Sequence, residues 1–353
     1  MTETNQKILD MVLKNASVNE ICAHTGLSSK QLFHRLNMLK IKGFNFSRKY
    51  YSDGEICYKL DKGFVYDKEV SLITKPTENE IKMVFISDLH LCSENQRLDL
   101  LNQVYELCAK EGIHVIINGG DLIDGLLGPT KKMYNNYEKQ IEYAIKNYPF
   151  DKNILNFICL GNHDYNSLQT TGQDLESAIN NKRHDIVSLG YGQGVLNIKN
   201  DEIVLVHPDT PIKEKSSLKP GSKITFYGHG HIMKNKISNG ITNIYLPTLS
   251  DIITPSKTKE FALPSILIGT FEFKNGFFNI GTFEQCVFLD KMYKVNESQY
   301  SLIGGKNINV EAIKYEEERT PYEEDKPKTY IQKIQEKSLG LSQIEKFNNR
   351  YKK

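Results

Sequence analysis

The fold of this chain is decided by the stretch Met83–His90, which reads MVFISDLH. Its apolar run ends abruptly at Ser87, as a buried strand does at the edge of a parallel sheet. Asp88 and His90 follow at once, and a spacing of two residues puts both on one side if the chain stays extended. We therefore predict a strand that carries two metal-binding side chains beyond its carboxyl end.

The same pattern recurs further along the chain. Strands that end in IINGGD, ICLGNHD, VLVH and FYGHGH deliver six more polar side chains, namely Asp121, Asn162, His163, His207, His229 and His231. In open α/β sheets, ligands bind beyond the carboxyl ends of the strands, so these side chains are expected to converge. The glycines inside the blocks allow the backbone to turn sharply and to approach a bound ion closely.

The segments around these strand ends predict an α/β core. Helical periodicity at 98–110 and 135–147 alternates with apolar strands at 82–87, 115–118, 154–160, 202–206 and 223–227. Such alternation is typical of βαβ units. Beyond residue 240 the pattern changes to strands, and Asn275-Gly276 is a hairpin turn between two of them.

The converging residue types predict a hydrolase that uses two metal ions. Phosphate esters resist hydroxide because both are anionic; two divalent cations neutralise that repulsion and lower the pKa of a bridging water. The donors are imidazole, carboxylate and amide groups, which suit Mn, Fe, Zn or Ni better than Ca or Mg alone. We expect two divalent ions per chain, with Mn as the first choice.

The ordered blocks D-x-H, G-D, G-N-H-D, H and G-H-x-H resemble the calcineurin-like metallophosphoesterase superfamily. The resemblance implies a two-sheet αββα sandwich over residues 81–295 that hydrolyses a phosphate ester. It also implies the metal ligands: Asp88, His90 and His231 for one ion, Asn162, His207 and His229 for the other, and Asp121 as the bridge. Cys92 and Pro208 stand where many relatives have glycine, but neither substitution removes a ligand.

The same resemblance gives His163 a catalytic role. His163 would contact the phosphate and protonate the leaving group, and Asp164 would orient its imidazole and raise the imidazolium fraction. Asp124 either assists the site or is a loop or helix-capping carboxylate. Four histidines lie outside the blocks and are expected to be structural or on the surface: His24, His34, His114 and His184.

Residues 1–70 predict three helices followed by a β-hairpin. Ser17 to Glu20 is a capping box, Gly26 ends the second helix, and Ser28 or Ser29 caps the third. Asp53-Gly54 separates the two hairpin strands. This order resembles a winged helix-turn-helix domain, which residues 71–80 would link to the phosphoesterase domain.

A winged helix suggests nucleic acid as a partner. The third helix would enter the major groove while the first wing strand contacts phosphate, with five candidate residues: Lys30, His34, Arg35, Arg48 and Lys49. A nuclease or other phosphodiesterase is therefore the leading prediction. The alternatives are a phosphomonoesterase whose winged helix docks a protein, and a DNA-binding or scaffold protein with an idle phosphoesterase domain.

The remaining features set the cellular context. The 353-residue chain has a formal net charge of +2 and 39% hydrophobic residues, as is usual for globular proteins of two or three domains. Its six cysteines form no CxxC pair, and it has no signal peptide pattern and no run of 18 apolar residues. We expect a cytoplasmic protein without a membrane partner. The charged extension 296–353 is expected to be poorly ordered or to bind a protein partner.

Overall fold

The computed structural model of the protein describes residues 2–61, 70–210, 223–238, 240–251 and 263–302. The helices are α1 (Glu3–Leu13), α2 (Val18–Thr25), α3 (Ser29–Ile41), α4 (Leu98–Glu111), α5 (Tyr137–Asn147), α6 (Asn162–Thr171) and α7 (Leu175–Lys182). The first strands are β1 (Asn45–Tyr51), β2 (Ile56–Asp61), β3 (Val70–Ile73), β4 (Glu80–Ile86), β5 (Val115–Asn118), β6 (Leu155–Leu160), β7 (Ile186–Tyr191) and β8 (Gln193–Ile198). The later ones are β9 (Asp201–Val206), β10 (Ile224–Tyr227), β11 (Lys234–Ser238), β12 (Ile241–Tyr245), β13 (Ser265–Lys274), β14 (Phe277–Phe288) and β15 (Met292–Ser301).

The strands form two sheets. One has the order β11-β12-β10-β9-β8-β3-β1-β2 and the other β15-β14-β13-β4-β5-β6-β7. Strands β4, β5, β6 and β7 are parallel neighbours, and β10 is parallel to both β9 and β12. The predicted two-sheet α/β sandwich is confirmed.

The alternation of side chains along β4 explains the layers. Met83 and Phe85 belong to a buried cluster shared with the other sheet, where Phe85 stacks on Phe226 with ring centres 4.1 Å apart. Val84 and Ile86 belong to a second cluster, with residues of α4 and α5. Burial on both faces therefore accounts for the continuous apolar run of this strand, because a half-exposed strand would alternate with polar residues.

The N-terminal helices carry the predicted caps. Ser17 and Glu20 form a reciprocal capping box, Ser28 caps α3 with Gln31, and Gly26 adopts a left-handed φ of +69° at the end of α2. These local signals are strong because each satisfies backbone N–H or C=O groups that a helix end otherwise leaves without partners. The description of this segment as a winged helix stays a prediction.

The hairpin β1–β2 is the outer end of the eight-stranded sheet. Strand β3, within the stretch predicted as a linker, pairs in parallel with both β1 and β8 and so joins the hairpin to the phosphoesterase strands. The hairpin turn also packs inward: a Cβ on Gly54 would lie 3.0 Å from the Cα of Asn153 and closer still to its carbonyl group. Ser52 donates to Glu78 over 2.6 Å.

At the other end, β15 pairs with β14 and runs to Ser301, beyond the predicted boundary at residue 295. The rest of the predicted charged extension, from residue 303, lies outside the described residues. In the described ranges no helix is long and apolar enough to cross a membrane.

Candidate metal centre

The eight predicted site residues lie directly after five strands. Asp88 and His90 follow β4, Asp121 follows β5, Asn162 and His163 follow β6, His207 follows β9, and His229 and His231 follow β10. The first three strands are in one sheet and the last two in the other. The parallel pairing within each sheet puts all of these carboxyl ends at one edge of the sandwich, so the side chains meet there.

The first group consists of Asp88, His90 and His231, whose donor atoms lie within 4.8 Å of one another. The Nε2 atoms of His90 and His231 are 3.4 Å apart, and His231 Nε2 is also 3.4 Å from Asp88 Oδ1. Two nitrogens that bind one tetrahedral ion at about 2.1 Å are themselves about 3.4 Å apart. The donors of this group therefore have the spacing of ligands to a common cation.

The second group consists of Asp121, His207 and His229, again within 4.8 Å. His207 Nε2 lies 3.2 Å from Asp121 Oδ2 and 3.1 Å from Asn162 Oδ1. Asn162 Oδ1 is also 3.1 Å from His229 Nδ1. This group, too, fits a divalent cation, and its amide, imidazole and carboxylate donors suit a transition metal.

Asp121 lies between the two groups. Its Oδ2 is 3.2 Å from His207 Nε2 and 3.8 Å from His90 Nε2, while Oδ1 accepts a hydrogen bond from His163 N. The residue is only 1% exposed, and among the described residues no donor makes a well-directed hydrogen bond to Oδ2. A buried carboxylate oxygen needs a compensating partner, and a cation in either group would supply one.

The backbone at the site is strained. Five of the predicted ligands adopt positive φ angles between +43° and +69°: Asp88, His90, Asp121, His229 and His231. Such angles cost about 1–3 kcal/mol for a residue with a side chain, and they persist only where the surroundings impose them. Their concentration at the ends of three strands indicates that the surrounding structure holds the predicted ligands in place.

The backbone also approaches the donors too closely for any side chain at two glycines. A Cβ on Gly161 would lie 2.7 Å from both Asp121 N and His207 Cε1, and closer still to Asp121 Oδ1. A Cβ on Gly120 would lie 2.7 Å from the carbonyl oxygen of Cys159 and closer still to His207. Glycine is therefore required at both positions by the packing of the ligands themselves.

The outer nitrogens of two histidines are fixed by neighbouring acceptors. His207 Nδ1 is 2.8 Å from the carbonyl oxygen of Gly119, which can only accept, so Nδ1 carries the proton and Nε2 is free to bind metal. His90 Nδ1 is 3.1 Å from Asp124 Oδ1. The other oxygen of Asp124 pairs with Lys132, which is largely buried. Asp124 thus contacts a predicted ligand, His90, and a role in the site stays a prediction; no signal in the sequence indicated Lys132.

His163 lies beside both groups. Its ring is perpendicular to that of His90, with 4.7 Å between centres, and it forms a third donor group with His90 and Asp121. Its Nδ1 is 2.6 Å from the main-chain oxygen of Asp124. Since that oxygen can only accept, Nδ1 carries a proton and the lone pair of the neutral ring is on Nε2.

The expected role of Asp164 as the residue that orients His163 is wrong. In the described structure its carboxylate accepts hydrogen bonds from the backbone N–H groups of Leu122 (3.1 Å), Ile123 (2.9 Å) and Gly161 (2.9 Å). Burial, with the negative charge of Asp121, raises the pKa of Asp164 to about 7. Asp164 therefore ties the loop after β5 to the loop after β6, and the main chain of Asp124 orients His163.

The charged side chains of the two donor groups shift one another's pKa values in the direction opposite to the shift that burial causes. Burial raises the pKa of Asp88, but His231 and His207 lower it by more, so the pKa stays below its usual range. Burial lowers the pKa of His207, but Asp121 outweighs it and raises the value to about 10. Without an ion, these acids and imidazoles compensate one another's charge, which is the behaviour of a ligand set that binds cations.

The five residues predicted to contact nucleic acid lie in the N-terminal segment. Lys30 and His34 are exposed on α3, Lys49 is partly exposed on β1, Arg35 donates to Asn5 over 3.0 Å, and Arg48 is half-buried with its guanidinium 5.8 Å from the ring centre of Tyr50. Another face of α3 packs on the α/β part, where Phe33 meets His184 with ring centres 5.6 Å apart. Their role in nucleic-acid binding stays a prediction.

Comparison with known families agrees with this geometry. Residues 81–252 match the family described as calcineurin-like phosphoesterase. The chain carries a calcineurin-like phosphoesterase domain. The family is metal-dependent, and the prediction of a hydrolase acting on phosphoester bonds is confirmed.

The structure of this chain is similar to several solved structures of low sequence identity. Vacuolar protein sorting 29 from Cryptosporidium parvum is 16% identical, with 64% of this chain and all of that chain covered and a TM-score of 0.37. Yfce, a phosphoesterase from E. coli, is 17% identical, with 62% and 98% covered and a TM-score of 0.38. An archaeal phosphodiesterase is 14% identical, with 59% and 100% covered and a TM-score of 0.36. No curated protein matches the sequence.

Proposed function

We propose that the phosphoesterase domain hydrolyses phosphodiesters with two divalent metal ions, and that its substrate is a nucleic acid. Asp88, His90 and His231 would bind one ion, and Asn162, His207 and His229 the other, with Asp121 shared between them. Mn is the first choice, with Fe, Zn or Ni as alternatives that the same donors accept.

The choice of a diester is carried by the charges around the site. In the described part of the chain, the hydrogen bonds and ion pairs of the predicted ligands are made with histidine, aspartate, asparagine, serine, threonine and the main chain. Lys132, which contacts Asp124 behind His90, is neutralised by that carboxylate. A phosphomonoester carries up to two negative charges at neutral pH and a diester only one. A site that would hold metal ions, and whose predicted ligands contact no arginine or lysine among the described residues, therefore matches the diester better.

The proposed reaction assigns each side chain a task. When bound by these residues, the ions would lower the pKa of a water and neutralise charge on the phosphate. His163, held through Nδ1 by the Asp124 carbonyl, would act in its imidazolium form, giving the Nε2 proton to the leaving oxygen and becoming the neutral ring with its proton on Nδ1. Asp124 also fixes the ring of His90, and Asp164 holds the two loops that carry Asp121 and His163. A preorganised backbone of this kind costs no reorganisation during the reaction.

A phosphomonoesterase whose N-terminal segment serves as a docking module is the second candidate. It is favoured by the hairpin, because the Asp53-Gly54 turn packs against Asn153 whereas a DNA-contacting wing would leave it free. An idle phosphoesterase domain on a scaffold protein is disfavoured by the complete donor set. Cytoplasmic location and a protein partner for the C-terminal extension stay predictions.

Hydrolysis of a substrate panel tests the proposal. The wild-type protein with Mn²⁺ would be given a generic phosphodiester, a generic phosphomonoester, and single- and double-stranded DNA, with Asp121→Asn as the blank. We expect wild type alone to cleave the diester and at least one DNA substrate. Turnover of the monoester without cleavage of the diester or DNA would contradict the proposal and establish the second candidate.

Nucleic-acid binding needs a separate test. If the exposed face of α3 binds DNA, Lys30→Ala should weaken binding, and the dependence of affinity on salt should become shallower because one phosphate contact is lost. Arg35→Ala should have a smaller effect, because that guanidinium already bonds to Asn5. Binding that is unchanged in Lys30→Ala would exclude this face.

A further inference from the structure

The imidazole of His229 has a neighbour at each nitrogen. Nδ1 lies 3.1 Å from Asn162 Oδ1, on the side of the second donor group, and Nε2 lies 3.2 Å from Asp209 Oδ2. A nitrogen that binds a metal ion must present a lone pair, so the proton of the neutral ring sits on the other nitrogen. That proton would lie on Nε2, where the carboxylate of Asp209 can accept it.

Asp209 reaches this position through an unusual backbone course. It follows His207 and Pro208, two residues beyond the predicted ligand, and its φ of +59° is left-handed. Proline holds a fixed φ, and the left-handed residue after it turns the chain back towards the site. Left-handed φ angles are tolerated by Asp, Asn and Gly better than by most residues. The side chain is directed at His229 by this turn and not by burial, since it is 80% exposed.

We infer that Asp209 is a positioning residue for the second metal ion, which it supports by holding the ring of His229. The inference rests on the proposed two-metal site and deepens it. Carboxylates that accept the outer N–H of a metal-bound histidine fix its tautomer and orientation and raise its basicity as a ligand. Asp209 would supply this support from a position that the motif blocks of the sequence do not include.

The two ions would then be supported unequally. Behind His90, the carboxylate of Asp124 is 1% exposed and is compensated by Lys132. Behind His229, Asp209 is surrounded largely by solvent, which screens its interaction. Loss of such an outer partner commonly weakens metal binding by about 10–100-fold, and solvent places Asp209 near the lower end, at about tenfold. The second ion should therefore be the weaker and more readily exchanged of the two.

Metal titration of matched variants tests the inference. Metal-free full-length protein would be titrated with Mn²⁺ by calorimetry, and bound Mn would be counted after desalting. Asp209→Gly removes the carboxylate and suits the left-handed backbone, whereas Asp209→Asn suits the same backbone and keeps one acceptor oxygen. Asp99→Asn is the control, because its exposed carboxylate pairs with Arg97 and does not contact a predicted ligand.

We expect Asp209→Gly to bind the first equivalent normally and the second about tenfold more weakly, with Asp209→Asn in between and Asp99→Asn like wild type. Two equivalents of wild-type affinity in Asp209→Gly would overturn the inference, as would equal weakening of both equivalents. A wild type that takes up a single equivalent would overturn it together with the two-metal site. If wild type binds two ions but cleaves no diester, the proposed reaction fails while the role of Asp209 stands.

Discussion

The close packing around Gly161 predicts a large effect from one added methyl group. In Gly161→Ala, the new Cβ would be placed 2.7 Å from both Asp121 N and His207 Cε1, and closer still to Asp121 Oδ1. Carbon contacts are comfortable at about 3.5 Å or more, so these groups must move by about 1 Å. The backbone itself is no obstacle, because Gly161 has φ −94° and ψ −172°, which alanine adopts readily.

The displaced groups are His207 of the second donor group and Asp121, which lies between the two groups, so activity should fall far more than stability. Overpacking a site of this kind costs about 1–3 kcal/mol of folding stability. A displacement of about 1 Å in a catalytic geometry can reduce the rate about 100-fold. We therefore expect Gly161→Ala to remain folded, to bind Mn²⁺ more weakly, and to lose about 100-fold or more in kcat/KM on a generic phosphodiester.

Gly230→Ala is the matched control. Gly230 separates His229 from His231, yet no atom of the described residues lies within 4 Å of a Cβ built there, and its φ is not left-handed. This variant should keep activity within a few-fold of wild type. Steady-state hydrolysis and bound Mn, measured on both variants beside their unfolding temperatures, give the comparison. Wild-type metal binding and turnover in Gly161→Ala would refute the reasoning that the donors are packed against this backbone.

Three further predictions concern other parts of the molecule. Asp124→Asn removes the negative charge beside His90 and should weaken binding of the first Mn²⁺ about 10–100-fold in the calorimetric titration. Unchanged Mn²⁺ affinity would show that the contact between Asp124 and His90 does not support the ion. Arg183→Met leaves the buried carboxylate of Asp185 unpaired and should lower the free energy of unfolding, measured with urea, by about 3–5 kcal/mol. Arg97→Met, which breaks ion pairs on the surface, should lower it by about 1 kcal/mol or less. Burial lowers the pKa of His184 in the folded protein. As the pH falls below about 6.5, His184 therefore takes up a proton in the unfolded chain before it does so in the folded protein. His184 should therefore lower the free energy of unfolding between pH 7 and pH 5 by at most about 1.4 kcal/mol per pH unit. The variant His184→Leu should lose less stability than wild type over that range. An equal loss in both proteins would contradict the assignment of this pH dependence to His184.

The meeting of the site residues could be predicted from the sequence because it depends on strand ends alone. Each block follows an apolar run, and parallel strands bring their carboxyl ends to one edge. Five positive φ angles at these blocks could not be read from residue types, because Asp and His tolerate this region better than most residues but still adopt negative φ at most positions. The metal-binding roles themselves stay a prediction until an ion is observed.

The supporting contacts could not be predicted because they depend on tertiary structure. The sequence favours neither of two roles for Asp124, and only the fold shows that its side chain reaches His90 and its carbonyl reaches His163. Lys132 and Asp209 lie in loops, where no periodicity indicates a partner. For Asp164 the sequence is misleading. Its position directly after His163 suggests a contact with that histidine, but the carboxylate oxygens of Asp164 accept hydrogen bonds from backbone N–H groups.

The secondary structure that was not predicted has weak local signals. Helix α6 reads NHDYNSLQTT, and residues such as Asn, Asp, Ser and Thr favour helix ends over interiors. It forms where Asp164 accepts the Gly161 N–H and Gly172 ends it in a left-handed conformation. Strand β3 is only four residues long, so the junction between hairpin and sandwich could not be distinguished from a linker.

Anomalous X-ray scattering from crystals soaked in Mn²⁺ would test the central claim most directly, namely that two ions share Asp121 at the edge of the sandwich. The account predicts two Mn peaks about 3.5–4 Å apart, the spacing of two-metal hydrolases, with Asp121 Oδ2 between them. One peak should lie among Asp88, His90 and His231, and the other beside His207 and His229. A single peak, or two peaks that do not share Asp121, would contradict the account.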